Sequence, residues 1–200
     1  MRTRAPLSTR QKILQTAYLE FYRNGFQSGS LNRIIEDAGV TKGALFHHYD
    51  GKQALGFAVV EEIISLMIGN VWIKPLARSI DPVRDIQVIV RTIIRQKVEK
   101  NGLAHGCPLN NLAQEMSPLD EGFRRRIEKI YDAWRESVEA AFARGVKAGR
   151  VRKDLAPRRT AAFVVAAMTG IIGTAKNAQS EELMTEAGEA LVQYLDGLVP

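Results

Sequence analysis

Cysteine is almost absent: the 200 residues contain one, Cys107. A single thiol cannot close an intrachain disulfide or build a zinc site from several thiolates. Long apolar runs are also missing. The longest, residues 161–175 (AAFVVAAMTGIIGTA), is 15 residues, short of the roughly 18–20 that a bilayer span needs. Arg158, Arg159 and Lys176 bracket it, so a buried helix is expected rather than a membrane segment. No apolar stretch follows Arg2 and Arg4, which argues against a signal peptide. Without an export or membrane signal, the expected location is the cytoplasm. The chain has no G-x-S-x-G, P-loop, H-E-x-x-H or dinucleotide fingerprint, so no enzyme, cofactor or metal is implied. His47, His48 and Asp50 do not change this, because adjacent helical positions point about 100° apart and cannot easily share one ion.

What is present is an ordinary globular composition, 46% hydrophobic and 25% charged, which excludes a mostly disordered chain or a collagen-like repeat. Charge is uneven. Residues 1–60 hold eight basic and four acidic side chains, so +4 of the overall +6 lies there. A basic first third suits a polyanionic partner, although a solvated surface can carry the same excess.

Nearly every segment has helical periodicity. Ser8 and Gln11 form a capping box for a first helix lined by Ile13, Leu14, Ala17, Tyr18 and Phe21, with Gly25 as its stop. Ser30 opens a short helix through Leu31, Ile34, Ile35 and Ala38, ended by Gly39. Thr41 caps a third, with Leu45 facing the core. Asp50 and Gln53 read as a second capping box, opening a long fourth helix. Asp81-Pro82 starts a helix to about Lys100, broken by Asn101-Gly102. Pro108 opens a short helix to Met116, and Ser117-Pro118 starts a long one ended by Gly149. Pro157 starts the apolar helix, which fades near Asn177, and residues 180–197 form the last.

Two short helices joined at Ala38-Gly39-Val40 make a helix-turn-helix pattern, in which glycine permits positive φ at the turn. A structural helical corner or a protein-binding adaptor would use the same hairpin. Three features favour DNA. Lys42 and Lys52 stand in first helical turns, where the dipole disfavours cations by about 0.3–1 kcal/mol unless an anion is bound. Thr41, Gly43, Ala44, Phe46, His47 and His48 present short, apolar or donor groups to a major groove. Arg2 and Arg4 form a basic tail that could follow the backbone or minor groove.

Residues 10–62, and above all the block from Ala38 through Tyr49 (AGVTKGALFHHY), resemble the DNA-binding domain of the tetracycline-repressor (TetR) family. The resemblance implies an all-α protein of about nine helices. Residues 8–68 would be a three-helix helix-turn-helix domain, and residues 69–200 a larger ligand-binding and dimerisation domain. It also implies a homodimer through the last two helices, double-stranded operator DNA, an unidentified small-molecule effector and no membrane. The DNA contacts would be Thr41, Lys42, Gly43, Ala44, Phe46, His47, His48 and Lys52, with Leu45 and Tyr49 in the core. Phe46 stands where the family commonly has Tyr, Gly51 where it has Ser, and Ile35 where it prefers Ala.

The apolar helix supports a dimer independently. It is hydrophobic nearly all round and so should be buried on most sides. Ala166, Ala167, Gly170, Gly173 and Thr174 permit close approach, and the Leu183, Leu191, Leu195 and Leu198 face of the last helix would complete an intersubunit core; a purely intrachain core is the alternative. Trp72, His105, Cys107, Met116, Tyr131, Trp134 and Met168 are candidates to line an effector pocket, with ordinary core as the alternative for the apolar ones. Cys107 precedes Pro108 and so takes the N-cap position, where a thiol pKa can fall. It is either an electrophile or redox sensor or a small buried hydrophobe.

Overall fold

Ser8 accepts a hydrogen bond from the Gln11 amide while the Gln11 side chain accepts from the Ser8 amide, completing the first capping box. Local signals of this kind start most helices in the computed structural model, which describes residues 7–99 and 102–200. Among the described residues there are nine helices and no strand. They are α1 (Thr9–Asn24), α2 (Leu31–Ala38), α3 (Lys42–His48), α4 (Gly51–Leu76), α5 (Pro82–Glu99), α6 (Pro108–Met116), α7 (Glu121–Lys147), α8 (Pro157–Ala178) and α9 (Glu181–Asp196). Residues 86–94 (IQVIVRTII), rich in β-branched side chains, lie wholly inside α5. The basic tail at Arg2 and Arg4 and the expected break at Asn101 fall outside the described residues.

One cap and one boundary differ from the sequence reading. Asp50 makes no side-chain cap. Gln53, the expected partner, instead donates to Asp120 Oδ2 at 2.6 Å, so a long-range acceptor has displaced the local box. Helix α7 begins at Glu121, beyond Ser117-Pro118, because Asp120 is the residue whose carboxylate accepts the Phe123 amide, at 2.9 Å. The long helix α4 also carries two π-helical stretches, Val59–Ile64 and Gly69–Ile73, where i→i+5 bonding interrupts the ordinary ladder.

The chain forms two compact units. The first comprises residues up to 66 together with Asn111–Ile127. Its core gathers Ile13, Leu14, Ala17, Phe21, Ile34, Leu45, Tyr49 and Leu55. Phe123 packs edge-on against Phe26 (4.6 Å) and Phe57 (4.8 Å). Glu115 on α6 accepts the amides of Phe26 and Gln27 at 2.9 and 2.8 Å, satisfying backbone donors beyond the end of α1. Arg10 forms a two-pronged ion pair with Glu62, at 2.8 and 2.5 Å, joining α1 to α4.

The second unit comprises Met67–Asn110 and Glu128–Pro200. Here α9 packs on both α5 and α8. Gly188 lets α9 approach α5 closely, since a Cβ there would lie 2.0 Å from Ile94 Cδ1. Helices α4 and α8 are long and apolar enough, by length and composition, to cross a membrane. Each nevertheless turns large side chains into the protein core, including Leu55, Val60, Ile64, Trp72 and Leu76 from α4 and Val164, Val165 and Met168 from α8.

The apolar helix is not buried on most sides within the chain. Ala162, Phe163, Ala166, Gly170 and Thr174 remain exposed along one stripe, and Phe163 lies against Tyr194 of α9 at 4.7 Å. The leucines assigned to an intersubunit face are placed differently. Leu191, Leu195 and Leu198 are buried within their own chain, and Leu183 is half-buried. Packing of α9 against α5 and α8 has taken them up, and the exposed surface of these two helices includes the stripe of small residues with Phe163 and Tyr194.

Candidate nucleic-acid interface

The helix-turn-helix is built by short-range chemistry. Ser30 accepts the Arg33 amide to start α2. Gly39 ends it at φ +62°, a left-handed conformation that glycine adopts without Cβ strain. Thr41 Oγ1 accepts the Ala44 amide at 3.1 Å, starting α3. Leu45 and Ile34 are completely buried and Tyr49 nearly so, which sets the orientation of α3. Its other face is free: Thr41, Lys42, Gly43, Phe46 and His47 are exposed, and Ala44 and His48 are half-buried. The His47 and His48 rings meet edge to face at 5.0 Å.

Two details on this face favour an external partner. A Cβ added at Gly43 would meet only Thr41 Oγ1, at 3.9 Å, so the fold itself does not require glycine there. Phe46 is 47% exposed, with the Lys42 ammonium 6.0 Å from its ring centroid. Lys52 is placed differently. Its ammonium donates to the Gln27 carbonyl at 2.8 Å and lies 5.0 Å from the Phe26 ring centroid, so it has an internal role whatever else it contacts.

Sequence reading missed the residue that braces this hairpin. Glu20 of α1 is only 7% exposed. It accepts from Arg33 Nε and Nη2 (2.9 and 2.6 Å), the Ser30 amide (2.9 Å) and Asn24 (2.9 Å). Burial alone would raise its pKa, but these hydrogen bonds prevail and hold the carboxyl below the ordinary glutamate range. The available signal was an acid ten residues before an N-cap serine and thirteen before an arginine, which no local periodicity marks.

The expected effector residues divide between the units. Met116 is buried in the unit that holds the hairpin, whereas Trp72, His105, Cys107, Tyr131, Trp134 and Met168 belong to the other. Three of these make one aromatic cluster: Trp134 lies 4.8 Å from Trp72 and stacks on Tyr131 at 6.3 Å. The Tyr131 hydroxyl donates to Asn110 Oδ1 at 3.4 Å. Met168 is buried in α8. An open groove of about 470 Å³ lies elsewhere on this unit, between α5 and α9, bordered by Val88, Arg91, Thr92, Arg95, Thr185 and Glu189 among others; none of the expected pocket residues lines it.

Cys107 does not have the lowered pKa expected at an N-cap. Part of the residue remains exposed, yet burial of the thiol raises its pKa and outweighs the amides of Asn110 and Leu109 and the charge of Lys97. Cys107 is therefore expected to alkylate with iodoacetamide at pH 7 more slowly in the folded protein than in urea, as mass spectrometry would record; equal or faster labelling of the folded form would restore the sensor reading. Among the described residues, no three His, Cys, Asp or Glu side chains gather as a metal site.

Comparison with known proteins agrees with this geometry. Residues 13–59 match the family described as bacterial regulatory proteins, tetR family, and residues 82–191 match the tetracyclin repressor-like C-terminal domain. The transcriptional repressor DhaR of Mycobacterium sp. (strain GP1) is 27% identical over 193 residues, covering 94% of this chain and 95% of its own. The uncharacterized regulator YxaF of Bacillus subtilis (strain 168) is 30% identical over 137 residues, covering 68% and 69%. A TetR transcriptional regulator from Chloroflexus aurantiacus J-10-FL, 24% identical, shares the fold with a TM-score of 0.84 over 96% of each chain. The chain belongs to the TetR family and is a helix-turn-helix transcriptional regulator.

Proposed function

We propose that this regulator is a cytoplasmic homodimeric repressor with no catalytic role. It holds a near-palindromic operator and releases it when a small molecule binds the domain spanning residues 69–200. Residues 8–68 are the DNA-reading domain in this reading. The carrying observation is the free face of α3, exposed at Thr41, Lys42, Gly43, Phe46 and His47 on a helix anchored by buried Leu45. Lys42 and the Thr41 hydroxyl contact phosphates, Gly43 and Ala44 allow close approach to base edges, and Phe46, His47 and His48 extend the contact. Lys52 contributes its charge beside the backbone while remaining tied to Gln27.

Each subunit places α3 in a major groove, with half-sites about 34–36 Å apart or somewhat more. The exposed small-residue stripe of α8, with Phe163 and Tyr194, supports pairing through the last two helices. The effector acts by differential affinity for the DNA-competent and incompetent states, and its effect cannot exceed that difference.

The test is fluorescence anisotropy with DNA from upstream of the chain's own gene and a genome-wide selection of binding sites, titrated with salt. Wild type is expected to bind selectively with a steep salt slope. Lys42→Ala is expected to weaken binding on all sequences and make the slope shallower by about 1 per subunit. Failure to select any DNA, together with salt-insensitive capture of a protein partner, would replace this reading with the adaptor.

A further inference from the structure

Trp134 lies in the middle of α7 and is 2% exposed. Its indole nitrogen is buried and has no acceptor. An indole N–H can only donate, and the contacts with Trp72 and Tyr131 hold the ring in place. Buried donors without partners are uncommon in native interiors and call for a missing partner. A trapped water needs two to four polar partners; the Trp72 and Tyr131 rings that touch Trp134 supply none, and the Tyr131 hydroxyl already donates to Asn110 Oδ1.

We propose that the Trp134 indole N–H is the hydrogen-bond donor of the effector site, and that the effector is a small uncharged molecule with a flat apolar body and one carbonyl-type oxygen. The proposal rests on the effector-responsive reading above and names the chemistry of that site. The aromatic cluster supplies a wall for the apolar body, and the unpartnered donor selects an acceptor. A cation would be attracted to the aromatic faces but offers the N–H nothing to accept its proton. An anion is disfavoured by the same environment: burial raises the pKa of Tyr131 and of Cys107, keeping both protonated, and lowers that of Lys97. Each of these groups is moved towards its neutral form, so the region penalises charge of either sign.

The experiment uses the full-length chain and a pair of probes of nearly equal shape: acetophenone, and α-methylstyrene, in which C=CH₂ replaces C=O. Binding is followed by tryptophan fluorescence. The Trp72→Phe variant leaves Trp134 as the only tryptophan, so that resonance Raman can read the hydrogen-bond state of its indole N–H. Acetophenone is expected to bind wild type saturably and about tenfold more tightly than α-methylstyrene, and to shift the indole band of Trp72→Phe. In Trp134→Phe the preference is expected to fall to less than about twofold. Equal affinities in wild type, no binding of either probe, or a preference retained in Trp134→Phe would overturn the proposal. So would an indole already hydrogen-bonded without probe, which would identify a trapped water. DNA anisotropy on the same ligand-free proteins keeps the two readings apart: loss of selective DNA binding in wild type counts against the regulator reading, and the probe results alone decide the donor.

Discussion

Leu45→Ala is expected to destabilise the DNA-reading unit by about 2–5 kcal/mol. Leu45 is completely buried, on the side of α3 that packs against α1 and α2. Truncation removes its transfer free energy and leaves a cavity between short helices that collapse only partly. The same side chain orients α3, whose opposite face carries Lys42, Gly43 and Phe46. DNA affinity should therefore fall along with stability, although Leu45 touches no DNA in the proposed complex. Urea unfolding followed by circular dichroism gives the stability change, and anisotropy gives the affinity. Leu45→Met conserves volume and is expected to cost less than about 1.5 kcal/mol. A loss below about 1 kcal/mol in Leu45→Ala would mean that α3 is anchored by something other than this contact.

The second large effect is expected at Glu20. Glu20→Ala removes the acceptor shared by Arg33, the Ser30 amide and Asn24, and should cost about 2–4 kcal/mol, because the donors are left without it in a partly buried setting. Half-exposed Arg33 can turn to solvent, which keeps the cost below that of breaking a fully buried pair. The pH dependence has a definite sign. The Glu20 pKa is lowered by folding from an ordinary value of 4.5, so its contribution is fully present above that value and is lost as pH falls through the folded pKa. Wild type and Glu20→Ala should differ by a constant amount near neutrality and converge in acid. Glu20→Gln should be intermediate and should lack this dependence. Parallel stability curves down to pH 3 would contradict the assignment.

Both residues lie where sequence and structure differ in legibility. Leu45 was readable because helical spacing marks the inward face of a short helix and a threonine cap fixes its start. Glu20 was not, because its partners are gathered by the turn between two helices. Glu115 is a clearer instance. It satisfies the amides of Phe26 and Gln27 from 88 to 89 residues away, and no pattern in α1 or α2 announces it. Gln53 looked like half of a capping box with Asp50. Asp120, brought close by the fold, took the hydrogen bond instead.

The sequence alone determined the helix starts at Ser8, Ser30 and Thr41, the glycine stops at Gly25 and Gly39, and the motif that relates the chain to its family. These depend on bonds spanning three to five residues and on backbone sterics, so composition and spacing carry them. Tertiary structure decided which surfaces face each other. An amphipathic pattern shows that Leu191, Leu195 and Leu198 must be covered, and only packing shows that their own chain covers them. A position before Pro108 shows that Cys107 can cap a helix, and only the surrounding burial shows that its thiol pKa goes up. The physical reason is common to both cases: desolvation and long-range partners depend on atoms distant in sequence, and their contribution exceeds the local preference wherever the fold brings them close.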